Sequence, residues 1–247
     1  MEAGARLTTT LPAHLSAAEF HRAVLALSPR IAVFDCDGTL WSGDAGYGFM
    51  LWSIETGLVS RNAADWIDSR YRLYLTGDIS ELAICGEMVQ LYTGLEETEL
   101  RRAAATYFHT QIHPHIFPEM QRLVADLQST GCEIWAVSST NNWVIEEGVR
   151  DFGIPPQRIL SARVAVVDGF ITSTLIDVPT DEGKALSLER VDRTQPDVVF
   201  GNSIHDAAML SLARGPFAVN PTPGLLEVAG ERNWPVFIPA TIAEGAR

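Results

Sequence analysis

Short apolar runs alternate along the chain with segments whose apolar residues recur every three or four positions. Ile31-Ala-Val-Phe34, Ile134-Trp-Ala-Val137 and Val198-Val-Phe200 have no polar interruption, the mark of strands buried on both faces of a parallel sheet. Phe20, Val24 and Leu27 follow the capping-box pattern Ser16-Ala-Ala-Glu19 at helical spacing. Met120, Leu123, Val124 and Leu127 lie between Pro118 and Gly131, residues that suit a helix start and stop. Further helices are predicted through Val144, Ile145 and Val149, through Lys184, Leu186, Leu188 and Val191, and over 207–213. Ile159-Leu160 reads as a weak strand, and Val164-Ala-Val-Val167 and Phe170-Ile-Thr-Ser-Thr-Leu175 flank Asp168-Gly169 as a tight hairpin would. Phe217-Ala-Val219 and Val236-Phe-Ile238 are the last strands expected. This alternation predicts an α/β protein with a Rossmann-like, doubly wound parallel sheet.

The rhythm breaks between residues 43 and 117. Trp41, Phe49, Trp52, Ile54, Trp66, Ile67, Tyr71, Leu75, Leu82, Val89 and Leu91 are spaced as in helices, and Thr93-Gly-Leu-Glu96 offers a capping box for one more. We expect an all-α cap over residues 43–117, inserted after the first strand of a core made of residues 1–42 and 118–247.

Charge narrows the field of partners. With 18 basic and 31 acidic side chains the formal net charge is −13, and no basic stripe offers itself to a phosphate backbone or an anionic bilayer. Nucleic acid and membrane are therefore not expected partners. Cys36, Cys85 and Cys132 lack disulfide-framework or zinc spacing. The opening stretch lacks the long apolar segment of a secretion signal, and no apolar run could cross a bilayer, so a soluble cytoplasmic protein is expected. The basic residues are 17 Arg and a single Lys, Lys184.

In open parallel sheets, ligands bind beyond the carboxyl ends of the strands. Four polar clusters fall there: Asp35 with Asp37, Ser138 with Ser139, Lys184 at a helix start, and Asn202 with Asp206. Residues two apart on a strand project the same way, so Asp35 and Asp37 both face the crevice while Cys36 turns inward. Gly38 permits a tight turn with exposed backbone amides. Paired carboxylates beside a hydroxyl, an amine and another oxygen donor suit phosphoryl transfer. Such a site needs a hard cation, Mg²⁺, and fixed donors for the phosphoryl oxygens.

Asp35-x-Asp-Gly-Thr-Leu40, Ser138 after an apolar strand, Gly183-Lys184 and Gly201-Asn-Ser-x-x-Asp206-x-x-Met-Leu210 resemble the four ordered motifs of the haloacid dehalogenase superfamily. The helical insertion is similar to that of its phosphoserine-phosphatase-like branch. The resemblance implies that Asp35 is a nucleophile forming an aspartyl-phosphate, and that Asp37 protonates the leaving oxygen and then activates water. It implies that Asp35, the Asp37 carbonyl, Asn202 and Asp206 hold Mg²⁺, and that Ser138, Ser139, Gly38 and Lys184 hold the phosphoryl group. A compact, mobile ammonium differs from a rigid guanidinium fork, a reason for the lone lysine.

Two departures from the family pattern bear on substrate. Asn202 stands where the family usually has Asp, so the metal site carries one negative charge less. Met88 stands where phosphoserine phosphatases clamp the substrate carboxylate with Arg, leaving Arg70 or Arg72 as the replacements to test. Asp44 falls where those enzymes receive the substrate's amino group, and Trp41, Tyr47, Phe49 and Trp52 are near it in sequence. The expected substrate is a small phosphorylated metabolite, a phosphomonoester with an amino or choline-type head group.

Other readings stay open at the level of sequence. A mutase transferring phosphate within a sugar would use the same residues, and a non-catalytic phosphate-binding module would account for Asn202. A receiver-type signalling domain shares Asp, Ser or Thr, and Lys, but needs no cap. Haloacid dehalogenation does not call for Asp37. His109, His113 and His115 lack a matching Cys or acidic set for zinc. Ser138 and Ser139 would also serve to cap the helix that follows, and Gly43, Gly46 and Gly48 would lend hinge freedom.

Overall fold

The computed structural model describes residues 12–245. The first eleven residues of the stretch read as lacking a secretion signal lie outside them, as does that part of the expected core. Chain order begins with β1 (His14–Leu15), α1 (Ala17–Ala26) and β2 (Ile31–Phe34). Four helices follow without an intervening strand: α2 (Ala45–Glu55), α3 (Arg61–Leu75), α4 (Glu81–Gln90) and α5 (Glu97–Tyr107). The chain then alternates through α6 (Pro118–Ser129), β3 (Glu133–Asn141), α7 (Asn142–Gly148), β4 (Ile159–Val167), β5 (Phe170–Asp177) and α8 (Glu182–Glu189). It ends with β6 (Val198–Gly201), α9 (Ala207–Leu210), β7 (Gly215–Val219), α10 (Pro223–Arg232), β8 (Val236–Phe237) and α11 (Ala240–Gly245).

The strands form one sheet in the order β1-β8-β7-β6-β2-β3-β4-β5, parallel except for the β4–β5 hairpin. The uninterrupted apolar runs have their reason in this arrangement. Ala32, Phe34, Ile134, Ala136, Val198 and Phe200 pack on one face, while Val33, Trp135, Val137 and Val199 pack on the other. Each face is covered, so neither set can be polar. The first face shares a continuous apolar cluster with Phe49, Ile67, Ile84 and Leu100 of the inserted helices. No helix among the described residues is long and apolar enough to cross a membrane.

The central position of β2, between β3 and β6, creates the crevice. The chain leaves β2 toward β3 on one side and later crosses to β6 on the other, the topological switch point where ligands bind.

Several local expectations are corrected. β1 precedes the motif-bearing strand, β3 runs on through Asn141, and Ile159-Leu160 joins the hairpin strand as one β4. The helix expected over 207–213 shortens to α9, entered by a 3-10 turn over Ile204–Asp206. The hairpin turn has Asp168 at φ 51° and Gly169 at φ 84°, the left-handed pair that a tight antiparallel turn demands. Thr93 does not cap α5: its hydroxyl donates to Gln90 O, and the next residue, Gly94, donates its N–H to Ile171 O of β5. Thus Glu96 becomes the cap position, without a side-chain bond.

Candidate active site

Asp35 lies just past the end of β2, where its N–H donates to Phe200 O of the neighbouring strand. Its side chain is buried, as are those of Ser138, Lys184 and Asp206, and Cys36 between the two aspartates turns into the apolar core. Lys184 Nζ donates to Asp35 Oδ1 at 2.7 Å, to Asp206 Oδ1 at 2.5 Å and to Val137 O at 3.4 Å. Thr39 Oγ1 donates to the other oxygen of Asp35 at 2.8 Å. The remaining oxygen of Asp206 accepts the backbone N–H groups of Asn202 and Ser203, each at 2.9 Å. Helix α8, loop 202–203 and the end of β2 are therefore tied through two buried carboxylates and one ammonium.

Charge in this cluster is unbalanced. Burial pushes the Asp35 carboxyl up to about 7, and Asp206 adds to the rise while Lys184 opposes it. Burial would by itself lower Lys184, but Asp206 and Asp35 outweigh it and hold the ammonium above its ordinary range. An additional cation would relieve the carboxylates.

Asp37 faces the inserted helices. Its Oδ1 accepts from Trp41 Nε1 at 2.8 Å and from Ala45 N at 2.7 Å, and its Oδ2 accepts from Thr140 Oγ1 at 2.8 Å. Burial raises its pKa, against the pull of these three bonds. A carboxyl that keeps its proton more readily than usual, yet is fixed in direction, is suited to giving a proton to a leaving oxygen. Gly38 follows at φ +73°, and a Cβ there would lie 1.9 Å from Asn202 Nδ2. Glycine is thus required both by the turn and by the close approach of Asn202.

These groups line a cavity of about 440 Å³ with Asp35, Asp37, Gly38, Ser138, Lys184 and Asn202 on its floor. Asp44, Tyr74, Glu81, Ser139 and Thr140 line both this cavity and a smaller inner one of about 90 Å³. The inner one is walled mainly by Tyr47, Tyr71, Met88 and Tyr92. The candidate ligands on the floor are oxygens, the Asp35 carboxylate, the Asp37 carbonyl and the Asn202 amide, while Asp206 lies buried behind them with both its oxygens engaged. That set matches what Mg²⁺ takes from proteins, a few hard oxygen ligands beside substrate oxygens.

Other expectations for the site change in the structure. Ser138 and Ser139 belong to β3, and Asn141 caps α7 instead, its Oδ1 accepting from Val144 N at 3.1 Å. Ser138 Oγ accepts from Thr140 N at 3.1 Å. Of the four aromatic residues near Asp44 in sequence, only Tyr47 lines either cavity, and that is the inner one. Trp41 is buried against Phe108, and Phe49 stacks with Trp52. Gly46 and Gly48 are packing positions, since a Cβ would lie 2.5 Å from Thr140 Oγ1 and 2.1 Å from the Tyr107 hydroxyl respectively. Arg70 is held by Glu87 in a two-bond pair and Arg72 by Asp68, and neither lines the cavities. His109 and His113 pair with Glu147 and Asp151.

Asp44 is placed at the cavity but is also the N-cap of α2, its Oδ1 accepting from Tyr47 N at 2.8 Å. Its side chain reaches cavity solvent, yet protein crowds it on the other sides. This crowding, with Asp37 nearby, pushes it up to about 6. Two further residues line the site without any local mark in the sequence, Thr140 at the end of β3 and Glu81 at the start of α4. Their neighbours at the site are remote in the chain.

The profile of the haloacid dehalogenase-like hydrolase family matches residues 32–211. A histidinol-phosphatase from Neisseria meningitidis serogroup C (strain 8013) is 30% identical over 217 residues, covering 83% of this chain and 97% of that protein. A crystal structure of a protein with unknown function from Bordetella pertussis Tohama I superposes with a TM-score of 0.74 at 23% identity, covering 85% of this chain and 98% of that one. A substrate-bound phosphoserine phosphatase superposes with a TM-score of 0.58 at 16% identity, over 85% and 92% of the two chains.

Proposed function

The chain belongs to the haloacid dehalogenase-like hydrolases, and on that footing we propose that it is a Mg²⁺-dependent phosphatase of small phosphomonoesters that works through an aspartyl-phosphate at Asp35. The observation that carries this reading is the buried Asp35 carboxylate at the crevice of a parallel sheet, with Lys184 at 2.7 Å and Asp37 two residues on. An Asp35 oxygen attacks phosphorus and the P–O bond to the alcohol breaks. Asp37 supplies the proton to the departing oxygen, then removes one from the water that cleaves the acyl phosphate and releases inorganic phosphate. Lys184, Ser138, Ser139 and the amides of the Gly38 turn hold the phosphoryl oxygens.

Asp35, the Asp37 carbonyl and Asn202 are the Mg²⁺ ligands in this reading. Asp206 supports them, since its oxygens hold Lys184 and the loop that carries Asn202. When bound, Mg²⁺ supplies charge neutralisation that lets an anionic ester approach a carboxylate.

The substrate is a phosphomonoester with an amino or choline-type head group. Support comes from the acidic and aromatic lining beyond the phosphate end, from the absence of Arg70 and Arg72 from that lining, and from the related histidinol-phosphatase. An aryl phosphate and a panel including histidinol phosphate, assayed with Mg²⁺ and with excess chelator, test the reading. Turnover by the wild type that disappears in Asp35→Asn and in chelator is expected. Equal turnover by Asp35→Asn, or turnover indifferent to chelator, overturns it.

A further inference from the structure

We propose that Glu81, at the start of α4, is the residue that selects the substrate's head group, and that it selects a cation bearing N–H donors. The inference rests on the phosphatase reading above and narrows its amino-or-choline alternative. Glu81 lines both the larger cavity and the inner one, so a group joined to a phosphate at Asp35 would meet it on the way inward. One of its oxygens, Oε1, accepts a weak bond from Cys85 Sγ at 3.4 Å. The other, Oε2, is buried and has no hydrogen-bond partner.

A buried carboxylate oxygen without a donor is destabilising unless something fills the place. Three neighbours approach it, and none makes a well-formed hydrogen bond to it. His205 Nε2 lies 3.8 Å from Oε2, beyond hydrogen-bond reach, and its Nδ1 is engaged by Asp181 at 2.7 Å. Tyr74, a phenol raised by burial and then by its side-chain interaction with Glu81, lies close to that carboxylate, but no well-formed hydrogen bond reaches Oε2. Asp44 is itself an acceptor, already committed to capping α2. Glu81 therefore lines the cavities with a carboxylate whose Oε2 is not tied down by a well-formed hydrogen bond.

The surroundings decide between two kinds of cation. A quaternary ammonium has no N–H and is held by the faces of aromatic rings. Here those faces are used internally: Tyr47 stacks on Tyr71 at 4.5 Å between centroids, and Tyr71 lies against Tyr74 at 5.7 Å. What the wall offers instead is an acceptor, which a primary ammonium or an imidazolium satisfies and a trimethylammonium does not. Asp44 adds negative charge across the same throat.

The test compares O-phosphoethanolamine, phosphocholine and propyl phosphate, whose head group is uncharged, in the wild type and in Glu81→Gln, with Mg²⁺ present. For the wild type, kcat/KM should favour phosphoethanolamine over phosphocholine by about ten- to a hundredfold, the range a hydrogen bond to a charged group commands. In Glu81→Gln that preference should collapse toward unity, chiefly through KM. Glu81→Lys, which puts a cation at the same place, should favour O-phosphoserine over phosphoethanolamine. A wild type indifferent to the three head groups overturns the inference and leaves the phosphatase reading intact. So does a Glu81→Gln enzyme that slows on all three in equal proportion, because a contact serving only to hold α4 would act that way. No turnover of these esters or of an aryl phosphate overturns the phosphatase reading, and this inference with it.

Discussion

Lys184 Nζ and Asp206 Oδ1 lie 2.5 Å apart, both closed to solvent, at a point where α8 and the loop after β6 meet. The pair fixes the ammonium that also reaches Asp35. Replacing Lys184 by Met leaves two carboxylates facing each other without a counter-ion. We expect kcat on an aryl phosphate to fall by about a hundred- to a thousandfold, the usual cost of a lost transition-state donor. Lys184→Arg should not rescue it, because the larger planar fork does not fit a closed site built around a point charge. Steady-state kinetics of both variants checks this.

Asp35→Asn should separate activity from stability. Loss of the nucleophile is expected to lower kcat by about ten-thousandfold or more. Because burial and Asp206 oppose ionisation of Asp35, the neutral amide removes a charge that the fold tolerates poorly. Its Tm in metal-free buffer at pH 7.5 should equal or exceed that of the wild type. A lower Tm would mean that the Asp35 charge is needed to balance Lys184.

The same displacement makes stability and Mg²⁺ response depend on pH. Asp35 has its folded pKa raised from an ordinary 3.8 to about 7, so the folded state binds more protons than the unfolded one between these values. Its contribution to stability is therefore fully present below the lower value and is lost as pH rises through the upper one. A metal ligand must be deprotonated, so Mg²⁺ competes with that proton. The rise in Tm produced by a fixed Mg²⁺ concentration should be larger at pH 7.5 than at pH 5.5, as differential scanning fluorimetry would show. An equal rise at both pH values would remove Asp35 from the ligand set.

Gly46→Ala sets two effects of known sign against each other. Alanine in place of glycine within α2 gains about 1 kcal/mol of helix propensity. The new methyl would lie 2.5 Å from Thr140 Oγ1, and overpacking of this kind costs about 1–3 kcal/mol. The clash should prevail, lowering Tm by a few degrees. Since Thr140 must move, Asp37 also loses one of its three donors, which raises its pKa further. The alkaline limb of the rate profile should shift to higher pH.

Periodicity and motif order determined much of this protein. Runs such as Ile31-Ala-Val-Phe34 could only belong to strands covered on both faces, and Asp35, Asp37, Ser138, Lys184 and Asp206 could be placed at strand or helix ends because local geometry sets direction along one element. The helical character of residues 45–107 was legible for the same reason. Contacts between elements were not. Trp41 and Thr140 meet at Asp37 across 99 residues of chain (140 − 41), and only the docking of α2 against the end of β3 brings them together. Trp41, Phe49 and Trp52 carry the same aromatic signal as Tyr47, yet Trp41 and Phe49 are buried in the core and Trp52 is half-buried against it, because position in the fold, not composition, decides which ring faces the cavity. Glu81 carries no local mark of a role in the sequence, being one acid among 31. Its significance comes from an oxygen left without a donor once α4 is packed, a property that exists only in three dimensions.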